Sequence, residues 1–285
     1  MIDFLLAYRP LLDIFLLAGG YALSQWVAFR AGLFSVATAG FASIGAYGAA
    51  LLTMNLGWPY LVSLPAGAAL GAAMGLLLSI PLARLRGVYQ AIATLAFVQI
   101  VVAVALFSED LTGGAVGLNG IPRRIGTWEL ALALIAVFFM MHAISLSRVG
   151  RAFDAIRQDE VVARSLGISV TNHHTLAFAL SGGIAGLFGG LEAFRSYTLL
   201  PSHFGFEFVV AALSYVVLGG RRSALGPIVG AAILLALPEI ARPLADYRMA
   251  VYGAILMLVM AFMPRGVVDT LRQFVWRRRL AAEQN

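Results

Sequence analysis

The sequence predicts an all-α polytopic membrane protein with about eight or nine transmembrane helices. Hydrophobic residues make up 61% of the chain and charged residues only 12%, against about 50% and about 25% in soluble domains. A water-exposed surface would need more charge, so most of the exterior must face lipid. Eight or nine spans would use roughly 160–180 residues. We therefore expect one transmembrane domain over residues 1–285 and no sizeable soluble domain.

Nine apolar runs are candidates for these spans. They lie at residues 11–29, 33–53, 59–83, 88–107, 127–146, 173–194, 206–219, 224–240 and 248–263. The seventh run is short and could be a half-helix buried within the protein. The stretch before the first run contains Asp3 and lacks a basic region, so we do not expect a cleavable signal peptide.

The arginines predict how the loops are distributed, because cytoplasmic loops carry an excess of positive charge. All 20 basic residues are arginine. If the amino terminus lies outside, 14 arginines fall on the cytoplasmic side and 6 on the other, which favours an N-out, C-in orientation. The segment 264–285 would then be a basic cytoplasmic tail, with Arg277–Arg279 facing membrane lipid. This distribution accounts for the net charge of +6 without nucleic-acid binding.

Two absent residue types exclude several functions. The chain contains no cysteine and no lysine. Disulfides, thiol nucleophiles and cysteine metal sites are therefore excluded, as is a standard phosphate-binding loop, which needs a lysine on the nucleotide phosphates. Because the spans hold no convergent catalytic groups, we expect neither an enzyme nor a bound metal or cofactor. Any dependence on ATP must come from a partner.

Glycines recur at four-residue intervals in two of the runs. Gly67, Gly71 and Gly75 form one set, and Gly182, Gly186 and Gly190 form the other. This spacing places each set on one face of a helix, where two backbones can approach closely. Tight packing within one subunit is the interpretation we favour, and a subunit interface or a gate is the alternative.

The longest polar stretch in the chain covers residues 147–172 and is called the elbow below. It predicts an amphipathic helix that ends at Gly167, with Glu160 and Arg164 paired four residues apart. Its apolar stripe must lie on the membrane surface, on the protein's own spans or in a groove of a partner. The stripe comprises Val149, Ala152, Phe153, Ile156, Ala163 and Leu166.

The elbow sequence SRVGRAFDAIRQDEVVARSLGI resembles the cytoplasmic loop of permease subunits in ABC importers of the branched-chain amino acid (LIV) type. Further segments resemble the same family and follow in its order, so that the likeness covers nearly the whole chain. These are Ala31–Leu52, Arg86–Ile100, Thr112–Pro122, Leu176–Ala193 and Val217–Ala231.

The resemblance implies a function and a set of partners. The chain would be a permease subunit importing branched-chain amino acids or related small amino acids or amides across the bacterial inner membrane. Its implied partners are a second homologous permease chain, two ABC ATPase subunits that carry the ATP and Mg, and a periplasmic substrate-binding protein. An ion-coupled secondary transporter of a small polar solute is the alternative, and sodium or proton dependence would distinguish it.

The resemblance also implies that the elbow is a coupling helix docked on an ATPase subunit. The residues that match the family loop are Arg151, Ala155, Ile156, Arg157, Asp159, Glu160, Ala163 and Gly167. The general importer signature has Glu-Ala-Ala with a glycine six residues after the glutamate. Here Val161 and Val162 follow Glu160, and Gly167 lies seven residues after it.

Uncharged polar residues and glycines within the spans are candidates for a substrate pathway. They are Ser35, Thr38, Gly40, Ser43 and Tyr47 in the second run, Gln90, Thr94 and Gln99 in the fourth, and Ser214 and Tyr215 in the seventh. The alternative is that these side chains bond their own helix carbonyls or bridge neighbouring helices.

Ionisable residues within membrane spans are functional candidates by default. We expect Asp13, near a span end, to be structural. Glu192 and Arg195 could pair across one turn of the sixth span. No carboxylate falls clearly at a membrane midplane, which weakens the case for a proton-coupled transporter.

Overall fold

The computed structural model describes residues 9–240 and 266–270, together with residues 253 and 257. The helices are α1 (Arg9–Arg30), α2 (Thr38–Leu56), α3 (Tyr60–Leu82), α4 (Val88–Phe107), α5 (Glu109–Thr112), α6 (Thr127–Leu146), α7 (Arg148–Gln158), α8 (Glu160–Ser165), α9 (Val170–Arg195), α10 (Phe206–Gly219) and α11 (Leu225–Ile240). Two short strands, β1 (Leu118–Asn119) and β2 (Thr198–Leu199), form an antiparallel pair.

Seven segments of the described chain are long and apolar enough to cross a membrane, and they coincide with the first seven predicted spans. The seventh consists of a 3₁₀ turn, Pro201–Phe204, followed by α10. With 14 residues, α10 is only about 21 Å long, which confirms that this segment is short. The eighth predicted span is α11. The ninth, 248–263, and the tail 264–285 lie outside the described residues, except for residues 253, 257 and 266–270.

Helix α9 lies at the centre of the bundle and packs against α1, α2 and α3. Its glycines face those of α3, and a Cβ on Gly71 would overlap the carbonyl oxygen of Gly182. In the same way, a Cβ on Gly45 of α2 would overlap the backbone of Gly186. The two glycine sets therefore join three helices inside one chain, which confirms the interpretation as close packing within the subunit.

The loops are sorted between the two ends of the bundle as the predicted topology requires. At one end, Arg86 in the turn between α3 and α4 reaches Glu160 of the elbow, with 2.9 Å between Nε and Oε2. Trp26 of α1 donates to the carbonyl oxygen of Arg221 in the turn between α10 and α11 at 2.9 Å. At the other end, β1 and β2 join the α4–α6 and α9–α10 connections. Which end faces the cytoplasm stays a prediction from the arginines.

The outward faces of α4 and α6 carry large exposed apolar side chains. Ile100 and Val104 of α4 are 61% and 59% exposed, and Leu132 of α6 is 72% exposed. A water-soluble monomer does not normally present apolar surface on this scale. Lipid, or another membrane-embedded chain, is the surrounding that suits it.

Candidate functional site

The elbow folds as two helices rather than as the single predicted helix. Asp159 has an extended backbone, with φ −159° and ψ 114°, and separates α7 from α8. Its carboxylate accepts hydrogen bonds from the backbone N–H groups of Val161 at 2.7 Å and Val162 at 3.0 Å. The prediction of a continuous helix was wrong because an aspartate that caps new backbone donors competes with the helix that would pass through it.

The carboxyl end of α8 follows the prediction. Gly167 has φ +80°, a left-handed conformation that glycine adopts without steric cost. Its N–H donates to the carbonyl oxygen of Arg164 at 3.0 Å. The predicted pair of Glu160 with Arg164 is also present, with 3.6 Å between Oε2 and Nη2.

The apolar stripe of the elbow lies on the protein's own spans. Phe153 and Ile156 are each only 2% exposed. The Phe153 ring meets His173 edge-on, with centroids 6.1 Å apart, and Ile156 packs in a small cluster with Ala163 and Val170. Leu166 does not belong to this stripe, because it is 72% exposed. The sequence left open the membrane surface, the protein's own spans or a partner's groove, and in the structure the stripe lies on the protein's own spans.

The first anchor of the elbow is an ion pair with the carboxyl end of α1. The Arg30 Nη2 atom lies 3.0 Å from Asp154 Oδ2 in α7. The Arg30 guanidinium also donates to Ser145 and lies over the Trp26 ring. Arg157 approaches the same carboxylate at 3.5 Å; burial lowers the pKa of this guanidinium, and Asp154 partly offsets the shift.

The second anchor joins α8 to the turn between α3 and α4, because Glu160 accepts a hydrogen bond from Arg86 while it also forms an ion pair with Arg164. On the outward side of α8, Val161, Val162 and Leu166 are 77%, 54% and 72% exposed. The elbow is thus held at two points of the bundle while one apolar face stays uncovered in the described chain.

The eight residues predicted for ATPase coupling divide into two groups in this structure. Some are turned towards the bundle, with Ile156 and Ala163 buried, and Ala155, Arg157 and Glu160 half-buried. The exposed ones are Arg151, Asp159 and Gly167. Sequence matching did not identify Asp154 or Arg30, although an arginine at the end of an apolar run and an acidic residue in the longest polar stretch are signals that could have selected them.

Four of the predicted pathway residues meet at the loop between α1 and α2. The side chains of Gln90 and Thr94 accept hydrogen bonds from the backbone N–H groups of Phe34 and Val36, both at 3.0 Å. These bonds satisfy non-helical backbone that is otherwise costly inside a membrane protein. The residues therefore hold this loop in place.

The other two residues of this group bond to a side chain that the sequence analysis did not select. Gln25 of α1 accepts from the Thr38 hydroxyl at 2.6 Å and donates to the Ser35 carbonyl oxygen. Gln25 is 2% exposed. A lone glutamine within an apolar run is the signal that could have identified it.

The remaining pathway candidates are dispersed. Gly40 lies against the Phe97 ring, and Tyr47 donates to the carbonyl oxygen of Leu199 at 3.2 Å. Ser43 and Ser214 are buried on different helices, and Gln99 is exposed on the outside of α4. The structure does not gather these residues around one space, and their role in a pathway stays a prediction.

Charged groups of α1 and α9 form a separate cluster towards the end of the bundle opposite the elbow. The Tyr21 hydroxyl donates to Glu192, and Arg195 Nε lies 3.3 Å from Asp13 Oδ2. Glu192 and Arg195 thus bond to α1 and not to each other, so the expected pairing across one turn of α9 was wrong. Glu192 and Arg195 line a cavity of about 190 Å³ between α1, α9 and α10.

Comparison with known proteins identifies the family. Residues 12–260, which include the elbow, six of the seven long spans and all but the first three residues of α1, match the family described as branched-chain amino acid transport system / permease component. The chain belongs to this permease family. No solved structure matches it.

Three named relatives illustrate the likeness within this family. The chain is 33% identical over 275 residues to the high-affinity branched-chain amino acid transport system permease protein LivM of Salmonella typhimurium and of Escherichia coli K12. It is 30% identical over 195 residues to the ribose import permease protein RbsC of Escherichia coli K12, covering 61% of this chain and 59% of RbsC. It is 31% identical over 148 residues to the LivH permease of the same strain, covering 48% and 46%.

The match to LivM covers 85% of this chain and 65% of the length of LivM. The seven long apolar helices and the family make the chain a multi-pass membrane protein, and its named relatives are transport permeases rather than enzymes. This agrees with the expectation from the sequence.

Proposed function

We propose that this chain is a transmembrane permease subunit of an ATP-binding-cassette importer. Its cargo is a branched-chain amino acid or a related small amino acid or amide, and it works in the bacterial inner membrane. A second homologous permease chain, two ATPase subunits that hold ATP and Mg, and a periplasmic binding protein complete the complex. Family membership and the LivM relationship support this proposal over an ion-coupled secondary carrier.

The observation that carries the proposal is how the elbow is attached to the helix bundle. An importer must favour its inward-open and outward-open states in turn, and only a partner that interacts differently with the two states can shift that balance. The chain lacks the lysine that a nucleotide-binding loop requires, so the energy of ATP hydrolysis must come from a partner chain. Ion pairs tie the elbow to α1 and to the α3–α4 turn, while α8 offers Val161 and Leu166 to a partner.

Two substitutions in the elbow test this assignment. Glu160→Arg places a third positive charge beside Arg86 and Arg164, and Gly167→Pro requires a negative φ where the backbone has φ +80°. Both variants should insert in the membrane, copurify poorly with the ATPase and lose stimulated ATP hydrolysis and uptake. Glu109→Arg is the control, because Glu109 is exposed at the other end of the bundle.

Normal stimulation in both elbow variants would overturn the proposal, as would a native complex that lacks any ATPase. Sidedness is tested in a chain that has no cysteine of its own. A cysteine at the exposed Gln158 position should react with an impermeant thiol reagent only from the cytoplasmic side. A cysteine at the exposed Val116 position should react only from the outside.

A further inference from the structure

The cavity opposite the elbow has one polar wall and one apolar wall. Glu192 and Arg195, three residues apart in the last turn of α9, form the polar wall together with Tyr21. Residues three apart on a helix lie on the same face. Leu17, Phe208 and Ala212 belong to the apolar wall, and they come from α1 and α10.

The charged groups on the polar wall are held in position from α1. The Tyr21 hydroxyl donates to Glu192 Oε2, and Asp13 binds Arg195 through Nε. Because Asp13 contacts the Nε atom of Arg195, the donors that we assign to a ligand carboxylate are the two terminal nitrogens of this guanidinium. Among the described residues, no donor reaches the buried Asp13 Oδ1 atom.

The cavity also extends from one end of the bundle towards its middle. Its lining on α1 runs from Ile14 to Tyr21, a rise of about 10 Å along the helix. Tyr21 lies near the middle of the 22-residue helix α1. Ionisable side chains within a membrane span are costly and usually serve a function, and Glu192 lies within α9 and bonds to Tyr21.

We propose that this cavity binds the zwitterionic head of an aliphatic α-amino acid, a step that rests on the proposed import function. Glu192 holds the ammonium group and Arg195 the carboxylate, while the aliphatic side chain lies against Leu17, Phe208 and Ala212. Both charged groups of an α-amino acid are attached to one carbon, which suits two side chains from a single helical turn.

The size of the cavity agrees with this ligand class. An apolar cavity of about 150 Å³ accommodates benzene, and this one measures about 190 Å³. The difference is enough for a few more heavy atoms, as in an amino acid of five or six carbons. A phosphatidylethanolamine headgroup also carries an ammonium near an acidic group. The experiment below distinguishes this lipid from a free amino acid.

The test uses the full chain in nanodiscs made only of phosphatidylcholine, with radiolabelled L-leucine as the probe. We expect saturable binding of the radiolabelled leucine. 4-Methylpentanoate and 3-methylbutylamine should each compete with it at least tenfold more weakly than unlabelled leucine does. These two compounds lack the ammonium and the carboxylate respectively. Glu192→Gln and Arg195→Gln should each weaken leucine binding at least tenfold, whereas Glu207→Gln, at an exposed position of α10, should leave it unchanged.

The variants also separate recognition from folding. Glu192→Gln should leave the weak binding of 4-methylpentanoate unchanged, and Arg195→Gln should leave that of 3-methylbutylamine unchanged. A variant that merely unfolds the site would lose both compounds.

Three outcomes would overturn the proposal. The first is that the parent chain binds no leucine. The second is that the Glu192→Gln and Glu207→Gln variants bind leucine equally well. The third is that phosphatidylethanolamine in the nanodisc displaces the bound radiolabel whereas unlabelled leucine does not. In each case the ATPase stimulation of the Glu192→Gln variant is measured in parallel. Stimulation that persists while leucine binding is absent rejects this site and leaves the importer assignment standing, whereas leucine binding together with a native complex that lacks any ATPase rejects the importer alone.

Discussion

Arg30, the last residue of α1, forms an ion pair with Asp154 of α7 across 3.0 Å between Nη2 and Oδ2. The arginine is 7% exposed, and the Trp26 ring and Ser145 complete its surroundings. A buried guanidinium needs such partners because removing a charge from water is costly. The pair therefore attaches the elbow to the first membrane helix.

Replacing Asp154 by asparagine should lower the free energy of unfolding by about 1–3 kcal/mol, because Arg30 would stay buried without its counter-charge. Thermal unfolding of the chain in detergent measures the change. Asp110→Asn serves as the control, since Asp110 is exposed in the described structure. Equal stability of the two variants would show that the pair contributes nothing to folding.

The glycine contact between α3 and α9 should not tolerate even one methyl group. Gly71→Ala places its Cβ against the Gly182 carbonyl oxygen, and we expect a loss of about 1–3 kcal/mol as the helices separate. In Gly183→Ala the new Cβ would lie 3.5 Å from Ala72 Cβ, an ordinary contact. Size-exclusion chromatography after graded heating compares the two variants, and similar behaviour would contradict the packing described here.

Gln90 should matter more for stability than Gln99, although both lie on α4. Gln90→Ala leaves the part-buried Phe34 N–H without its acceptor, and an unsatisfied donor away from water costs up to about 1–3 kcal/mol. Gln99 is exposed, so Gln99→Ala should have little effect. Protease resistance and thermal unfolding test this difference, and a greater loss in the Gln99 variant would mean that the loop does not depend on Gln90.

The exposed apolar face of α8 should be needed for coupling but not for folding. Leu166→Asp changes a side chain that is 72% exposed, so the melting temperature should stay within about 2 °C of the parent chain, as for most surface substitutions. ATPase stimulation in the reconstituted complex should fall at least tenfold. Val116→Asp, which alters an equally exposed residue at the opposite end, should retain stimulation; a parallel loss in both would argue against a docking role.

Features with a local cause were predictable from the sequence. The seven spans follow from apolar runs of sufficient length, and the four-residue spacing of glycine predicts a close-packing face on α3 and another on α9. Gly167 ends α8 as expected because a left-handed residue there favours glycine. In each case, the information lies within a few residues of the feature.

Features that depend on distant partners were not predictable in this way. Nothing near Glu192 in the sequence indicates that its partner is Tyr21, 171 residues away, and the neighbouring Arg195 looked like the nearer choice. Similarly, the sequence does not show that the α1–α2 loop packs against Gln90 and Thr94, and their role in a pathway stays a prediction. The break at Asp159 was missed because this residue also fits the charged face of a continuous helix.

The division of the elbow at Asp159 has a mechanical consequence. In the proposed complex, a torque on α8 would pass through Glu160 to the α3–α4 hairpin, whereas a torque on α7 would pass through Asp154 to α1. One input from a docked partner would thus move two different parts of the membrane bundle. The ratio between the two movements would depend on how stiffly the backbone bends at Asp159.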